Sequence, residues 1–313
     1  MRFGRNALLR SVSKPMAYRS SPQWPRFFRT AIPVQSGRET PKYQQEIPSS
    51  PSPVERSTRL NGSLASKLSL EGKVTVITGL AIAEAMAGLG SDVALLDILD
   101  PQVDLAGLQS DAGGRIKHYK TDVTQKASME SAVSEIVKDF GRVNNCITAA
   151  GITLEKPFID HEWEECRRVL DINVMGSYFC AQLVARQMIK QNSGGSIVMI
   201  ASVAAHCAVP AQRVSMYGAS KAAIKLLGKT LGVEMAPYNI RVNTLSPGYI
   251  ATEMTAQFKD LQGVFNRVPP LGRIGQRDDL TMAVAYLLSD GALYTTGADI
   301  VVSGGLHNGR IDV

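Results

Sequence analysis

Short runs of β-branched and other apolar residues recur along the chain at 74–78, 93–97, 116–121, 146–149, 197–201, 240–245 and 300–302. Longer stretches with helical apolar spacing separate most of them, at 128–140, 179–190, 216–235 and 278–288. The first pattern predicts buried strands and the second predicts helices. Strand–helix–strand repetition implies parallel pairing through right-handed crossovers, and so a sheet covered on both faces. The expectation is an α/β fold: a doubly wound, mostly parallel sheet of about seven strands in a single domain.

Charge changes the picture at the N-terminus. The chain of 313 residues carries a formal net charge of +6, but residues 1–38 hold seven Arg and one Lys with no Asp or Glu. Without those eight charges the rest stands near −2, so the basic balance is no sign of nucleic-acid binding. Phe3, Ala7, Leu8 and Val12 form an apolar stripe with Arg2, Arg5 and Arg10 outside it. That composition predicts a mitochondrial presequence over 1–38; a basic tail on a cytoplasmic protein is the alternative. Residues 39–66, with Pro41, Pro48, Pro51 and Pro53 among many Ser and Gln, predict an extended linker. The domain is expected over 67–306, with a tail at 307–313. No apolar run reaches 18 residues, so no membrane span is expected. Cys146, Cys166, Cys180 and Cys207 show no metal-site spacing and read as free thiols.

Candidate chemistry starts with Tyr217-Gly-Ala-Ser-Lys221 at the head of a long predicted helix. Residues four apart share a helix face, so the phenol and the ammonium become neighbours. A nearby cation favours the phenolate and would let Tyr217 exchange a proton near neutral pH. The spacing alone is weak among nine tyrosines. Ser202 follows a predicted strand, at the crevice where open α/β sheets bind ligands, although alone it reads as a turn serine. Asn173 lies in a predicted helix, where Asn is a poor helix former and is more often merely exposed.

Together these residues resemble the short-chain dehydrogenase/reductase family. The resemblance runs from about 68 to 305 through GKVTVITG (72–79), TDV (121–123), DINVMGSYFCAQ (171–182), SIVMIASVAA (196–205), YGASKAAI (217–224), RVNTLSPGYIATEM (241–254) and TGADIVVSGG (296–305). It implies a Rossmann-type fold and an enzyme interconverting a secondary alcohol and a ketone. It also implies Tyr217 as general acid/base and Lys221 as its partner and a ribose ligand. Ser202 would orient the substrate oxygen, and Asn173 would hold a water linking Lys221 to solvent. Thr78, Gly79, Asp122, Val123, Ala150 and Gly151 resemble cofactor-binding positions. Pro247, Gly248, Ile250 and Thr252 resemble the segment around the nicotinamide. Asp97, ending the second predicted strand, would accept from the adenosine ribose and repel a 2′-phosphate, favouring NAD(H), with NADP(H) as the alternative.

The chain departs from that pattern after its first strand. The family's Thr-Gly-x-x-x-Gly-x-Gly lets backbone N–H groups approach the pyrophosphate. Here Thr78-Gly79 runs directly into Leu80-Ala-Ile-Ala-Glu84, and about six residues are missing relative to that pattern. A connection still has to be made, so residues 80–83 are expected to be recruited from the helix. Either a misplaced splice junction shortens an active enzyme, or the loop is lost and binding is weak. The family's Asn-Asn-Ala-Gly is Thr148-Ala-Ala-Gly151 here, and the Asp of its terminal Asp-Gly-Gly is Ser303.

The chain looks most similar to fungal-type polyol (arabinitol) dehydrogenases and ketose (xylulose) reductases, which implies a small polyhydroxylated substrate. A 3-oxoacyl-thioester reductase is the alternative enzyme, and a cofactor-deficient interaction protein is the alternative of another class. A homotetramer or homodimer is implied by resemblance, through the helices before Asn192 and after Met216. The segment from Tyr249 to about Val268 is expected to lid the site.

Overall fold

The computed structural model describes residues 64–309 except 102–103, 106, 108 and 110–113. Its strands are β1 (Val74–Thr78), β2 (Asp92–Asp97), β3 (Ile116–Lys120), β4 (Asn145–Thr148), β5 (Gly195–Ile200), β6 (Ile240–Pro247) and β7 (Asp299–Val302). Each lies within two residues of its predicted run. The sheet is parallel throughout, in the order β3-β2-β1-β4-β5-β6-β7. The order reverses between β1 and β4, where Thr78 pairs with Thr148, and a crevice opens beyond the carboxyl ends at such a reversal.

Strand side chains alternate between two cores, as period-two geometry requires. Val76, Leu96, Cys146, Met199 and Val242 face one core, under α3 (Lys126–Phe140), α5 (Ser177–Gln191) and α6 (Ser215–Glu234). Ile77, Leu95, Ile147, Val198 and Leu245 face the other, under α2 (Ala83–Gly88) and α9 (Asp278–Leu288). Both faces being covered explains why β1 is buried at every residue, Thr75 and Thr78 included.

The main helices match expectation, and the differences fall at edges. A short α1 (Leu64–Leu68) packs against the 3-10 turn Asp290–Ala292, so folded chain begins inside the segment read as linker. At the other end Leu306 is buried and His307 Nδ1 lies 2.8 Å from Ser303 Oγ, so the tail starts later than 307. The presequence, most of the linker and residues 310–313 lie outside the described residues. The segment read as a lid folds into α7 (Glu253–Ala256), a 3-10 turn (Lys259–Leu261) and α8 (Gln262–Arg267). Phe265, fully buried, pins it against Tyr249 with ring centres 4.4 Å apart. The helix α4 (Trp163–Leu170), opened by a capping box of Glu162 and Glu165, was not anticipated.

Candidate active site

Ser202 stands just past β5, with its Oγ accepting from Ala204 N at 3.1 Å. Tyr217 enters in the first turn of α6, and Lys221 follows one turn later on the same face. Lys221 is 5% exposed and donates to the carbonyl of Ile200 at 2.8 Å, its Nζ lying 5.8 Å from the Tyr217 ring centre. Burial pushes the Tyr217 phenol above its ordinary value, and a hydrogen bond with Ser202 pulls it partly back. Loss of solvation draws Lys221 down to about 8. The hydrogen bond to the Ile200 carbonyl leaves the Lys221 charge in place, so the phenol has a hydroxyl at Ser202 on one side and a cation at Lys221 nearby.

Asn173 lies in a π-helical stretch, Asp171–Gly176, between α4 and α5. Such turns widen a helix locally and are frequent at functional sites. Here the stretch turns a fully buried amide inward. Asn173 Oδ1 accepts from Ile152 N at 2.9 Å, and Nδ2 donates to Ile152 O and Ser220 Oγ, both at 3.0 Å. Ser220 Oγ donates in turn to Tyr217 O at 2.7 Å. A methyl on Gly151 would come within 3.2 Å of Asn173 Oδ1 and 3.5 Å of Lys221 Nζ, so this glycine allows a close approach.

A cavity of about 610 Å³ joins these groups to the crevice. Ser202, Tyr217 and Lys221 line one end with Gly151. Pro247, Gly248, Ile250 and Thr252 form the adjoining wall, where Thr252 caps α7 in a reciprocal box with Thr255. Asp97 lines the far end, one carboxylate oxygen taken by Leu99 N at 3.0 Å. A dinucleotide fits this donor set at both ends: proton-bearing groups where a nicotinamide ribose would lie, and a carboxylate where an adenosine ribose would lie.

The comparisons with known proteins agree with that geometry. Residues 78–307 match a family model described as enoyl-(acyl carrier protein) reductase. The probable NADP-dependent mannitol dehydrogenase of Yarrowia lipolytica is 37% identical over 268 residues, covering 82% of this chain and 94% of that protein. Sorbose reductase SOU1 of Candida albicans is 35% identical over 261 residues, covering 80% and 92%. A solved short-chain type dehydrogenase/reductase from Mycobacterium marinum aligns with a TM-score of 0.76 at 35% identity, covering 78% and 99%. The chain belongs to the short-chain dehydrogenase/reductase family. As a member it is an oxidoreductase acting on CH–OH groups with a nicotinamide cofactor. The preference for NAD(H) draws no support from the mannitol dehydrogenase, whose name specifies NADP.

Other positions carried over from the family do not line the cavity of this short-chain dehydrogenase/reductase. Thr78 Oγ1 accepts from Ala149 N and Ala150 N, both at 2.9 Å, and so ties β1 to the loop after β4. The Thr148 hydroxyl is buried with no hydrogen-bond partner among the described residues. Ala150 and Gly79 are held in the same junction. Asp122 Oδ1 closes its own turn on Thr124 N and Oγ1, at 2.9 and 2.7 Å. Val123 packs over Gly176, where a methyl would meet Val123 Cγ2 at 2.9 Å. The shortened loop takes the recruited form: Gly79 at φ +89°, a 3-10 turn at Leu80–Ile82, then only six residues of α2.

Sequence reasoning missed several side chains. Val209 and Val214 form an apolar wall near Tyr217, joined by Phe258. Gln212 lines the cavity beside Ala211, which adopts φ +61°. Tyr249 Oη steadies that turn by donating to Pro210 O at 3.0 Å. Behind the site, His206 Nδ1 is 3.0 Å from Lys225 Nζ and its Nε2 is 2.8 Å from Asp299 Oδ2. None of these has a motif; only the fold brings them together.

Proposed function

We propose that this chain interconverts a secondary alcohol and a ketone on a small polyol or ketose, with Tyr217 as the general acid/base. The observation that carries the reading is that Tyr217, Ser202 and Lys221 together line the head of a cavity that reaches Asp97. The mannitol and sorbose in the names of the fungal relatives support the substrate class. Ser202 would hold the substrate oxygen beside the phenol. In ketone reduction Tyr217 gives its proton to that oxygen, and in alcohol oxidation it takes one. Lys221, held near 8, is poised to lose and regain a proton near neutral pH. Asn173 acts as a positioning residue, fixing Ile152 and Ser220 around both groups. A bound nicotinamide supplies or accepts the hydride.

For the cofactor, Asp97 supports NAD(H): its free oxygen can accept from ribose hydroxyls and would repel a 2′-phosphate. The relative named NADP-dependent supports the competing choice. The basic, acid-free stretch at 1–38 supports a mitochondrial address. Exposed Tyr178 and Phe179 on α5, with Leu226 and Val233 on α6, support pairing of copies through these helices.

The test is purified protein with NADH or NADPH and a panel of ketoses, read at the nicotinamide absorbance band. Ketose-dependent oxidation of the cofactor is expected. Turnover of 3-oxoacyl thioesters but no ketose would move the substrate assignment. No turnover, with no rise in melting temperature on adding NADH, would leave the non-catalytic reading.

A further inference from the structure

The wall where a diphosphate would cross is apolar. Leu80 and Ile82 line it, and neither Gly79 nor Ile82 caps its turn through a side chain. With α2 only six residues long, there is no backbone cradle of the kind a glycine-rich loop makes at the start of a full helix. A dianionic linkage placed there needs a counter-charge from elsewhere.

Among the residues lining the cavity only Lys221 and Arg277 are lysine or arginine, and Lys221 is bound to the Ile200 carbonyl. The lining carboxylates, Asp97, Asp100 and Glu253, offer an anion nothing. Arg277 immediately precedes α9 with helical backbone angles, φ −55° and ψ −38°. Leu280, three residues on and thus on nearly the same face, packs in one cluster with Ile82 and Leu80. Arg277 therefore stands one turn before Leu280, at the rim of the wall that lacks a cradle. The nearby acid is already engaged: Asp279 takes Arg273 in a two-pronged pair at 2.7 and 2.8 Å and also accepts from Gln276 N at 2.7 Å. The Arg277 side chain is exposed and shows no hydrogen bond or ion pair among the described residues.

The geometry points to Arg277 as the partner of the cofactor's diphosphate, replacing with one side chain what the shortened loop no longer supplies. The assignment rests on the nicotinamide-dinucleotide reading above. A guanidinium can meet phosphate oxygens with two parallel N–H donors, and that bond is charge-assisted. The role falls to a flexible side chain instead of a preformed turn, so affinity should depend strongly on salt.

Full-length protein and the variants Arg277→Gln and Arg277→Lys would be titrated with NADH, ADP-ribose and adenosine by calorimetry, at low and high salt. Arg277→Gln is expected to weaken NADH and ADP-ribose roughly tenfold or more, with adenosine unchanged and the salt dependence much reduced. Arg277→Lys should recover part of the affinity, and melting temperatures of the unliganded proteins should coincide. Unchanged ADP-ribose affinity in Arg277→Gln, or an equal loss for adenosine, would overturn the role of Arg277 while leaving the dinucleotide reading intact. Wild-type protein that binds neither NADH nor ADP-ribose would instead overturn that reading, and this assignment with it.

Discussion

Replacing Asn173 with alanine separates two roles for this amide. The family resemblance gives it a water; the structure gives it three protein partners, Ile152 N, Ile152 O and Ser220 Oγ. Asn173→Ala removes all three bonds from a fully buried position. Each stranded group costs about 1 kcal/mol, Ile152 being only half-buried, so the total is about 3 kcal/mol. In a domain of this size that corresponds to a fall of roughly 6–12 °C in Tm. Turnover should fall as well, because Ile152 adjoins Gly151, which packs beside Lys221, and Ser220 bonds the backbone of Tyr217. Differential scanning calorimetry beside steady-state kinetics measures both effects. Lost turnover with an unchanged Tm would refute the positioning argument and return Asn173 to the solvent link.

Three other outcomes follow from named groups. Lys221 is held at about 8 in the fold against 10.5 when unfolded, so between those values the unfolded chain binds more protons. Stability therefore rises with pH through that window, and Lys221→Met should abolish this part of the slope in denaturant titrations at stepped pH. Asp97→Asn removes the charge that opposes a 2′-phosphate and should raise the ratio of NADP to NAD efficiency, read as kcat/KM for each; an unchanged ratio would discharge Asp97 from cofactor choice. A glycine-rich insert after Gly79 should tighten NADH binding in fluorescence titration, whereas equal affinity would mean that the short loop already suffices.

The sheet was legible because a doubly covered parallel sheet favours short β-branched and apolar runs, as in Val-Thr-Val-Ile-Thr of β1 and Ile197–Ile200 of β5. Helix α9 begins and ends at its predicted residues, since its apolar spacing stops abruptly on both sides. Helix α4 went unseen because its sequence, Trp-Glu-Glu-Cys-Arg-Arg-Val-Leu, spans only eight residues, four of them charged, and buries only Val169. In the site, Tyr217, Lys221 and Ser202 were legible from an ordered set of motifs. The bond of Lys221 to the Ile200 carbonyl was not, because it depends on which way the ammonium turns. Asp122 and Thr78 read as cofactor ligands, yet each meets backbone N–H groups close at hand. Arg277 carries no motif, and its exposure to the cavity follows only from the packing of Leu280 on Ile82.

The central claim is that the Tyr217 hydroxyl transfers the proton of the redox step. The direct measurement is ketose-dependent NADH oxidation by Tyr217→Phe, paired with an NADH titration of the same preparation. Turnover reduced by about two to four orders of magnitude with NADH affinity held within a few-fold is the predicted result. Turnover within a few-fold of wild type, at unchanged NADH affinity, would contradict it.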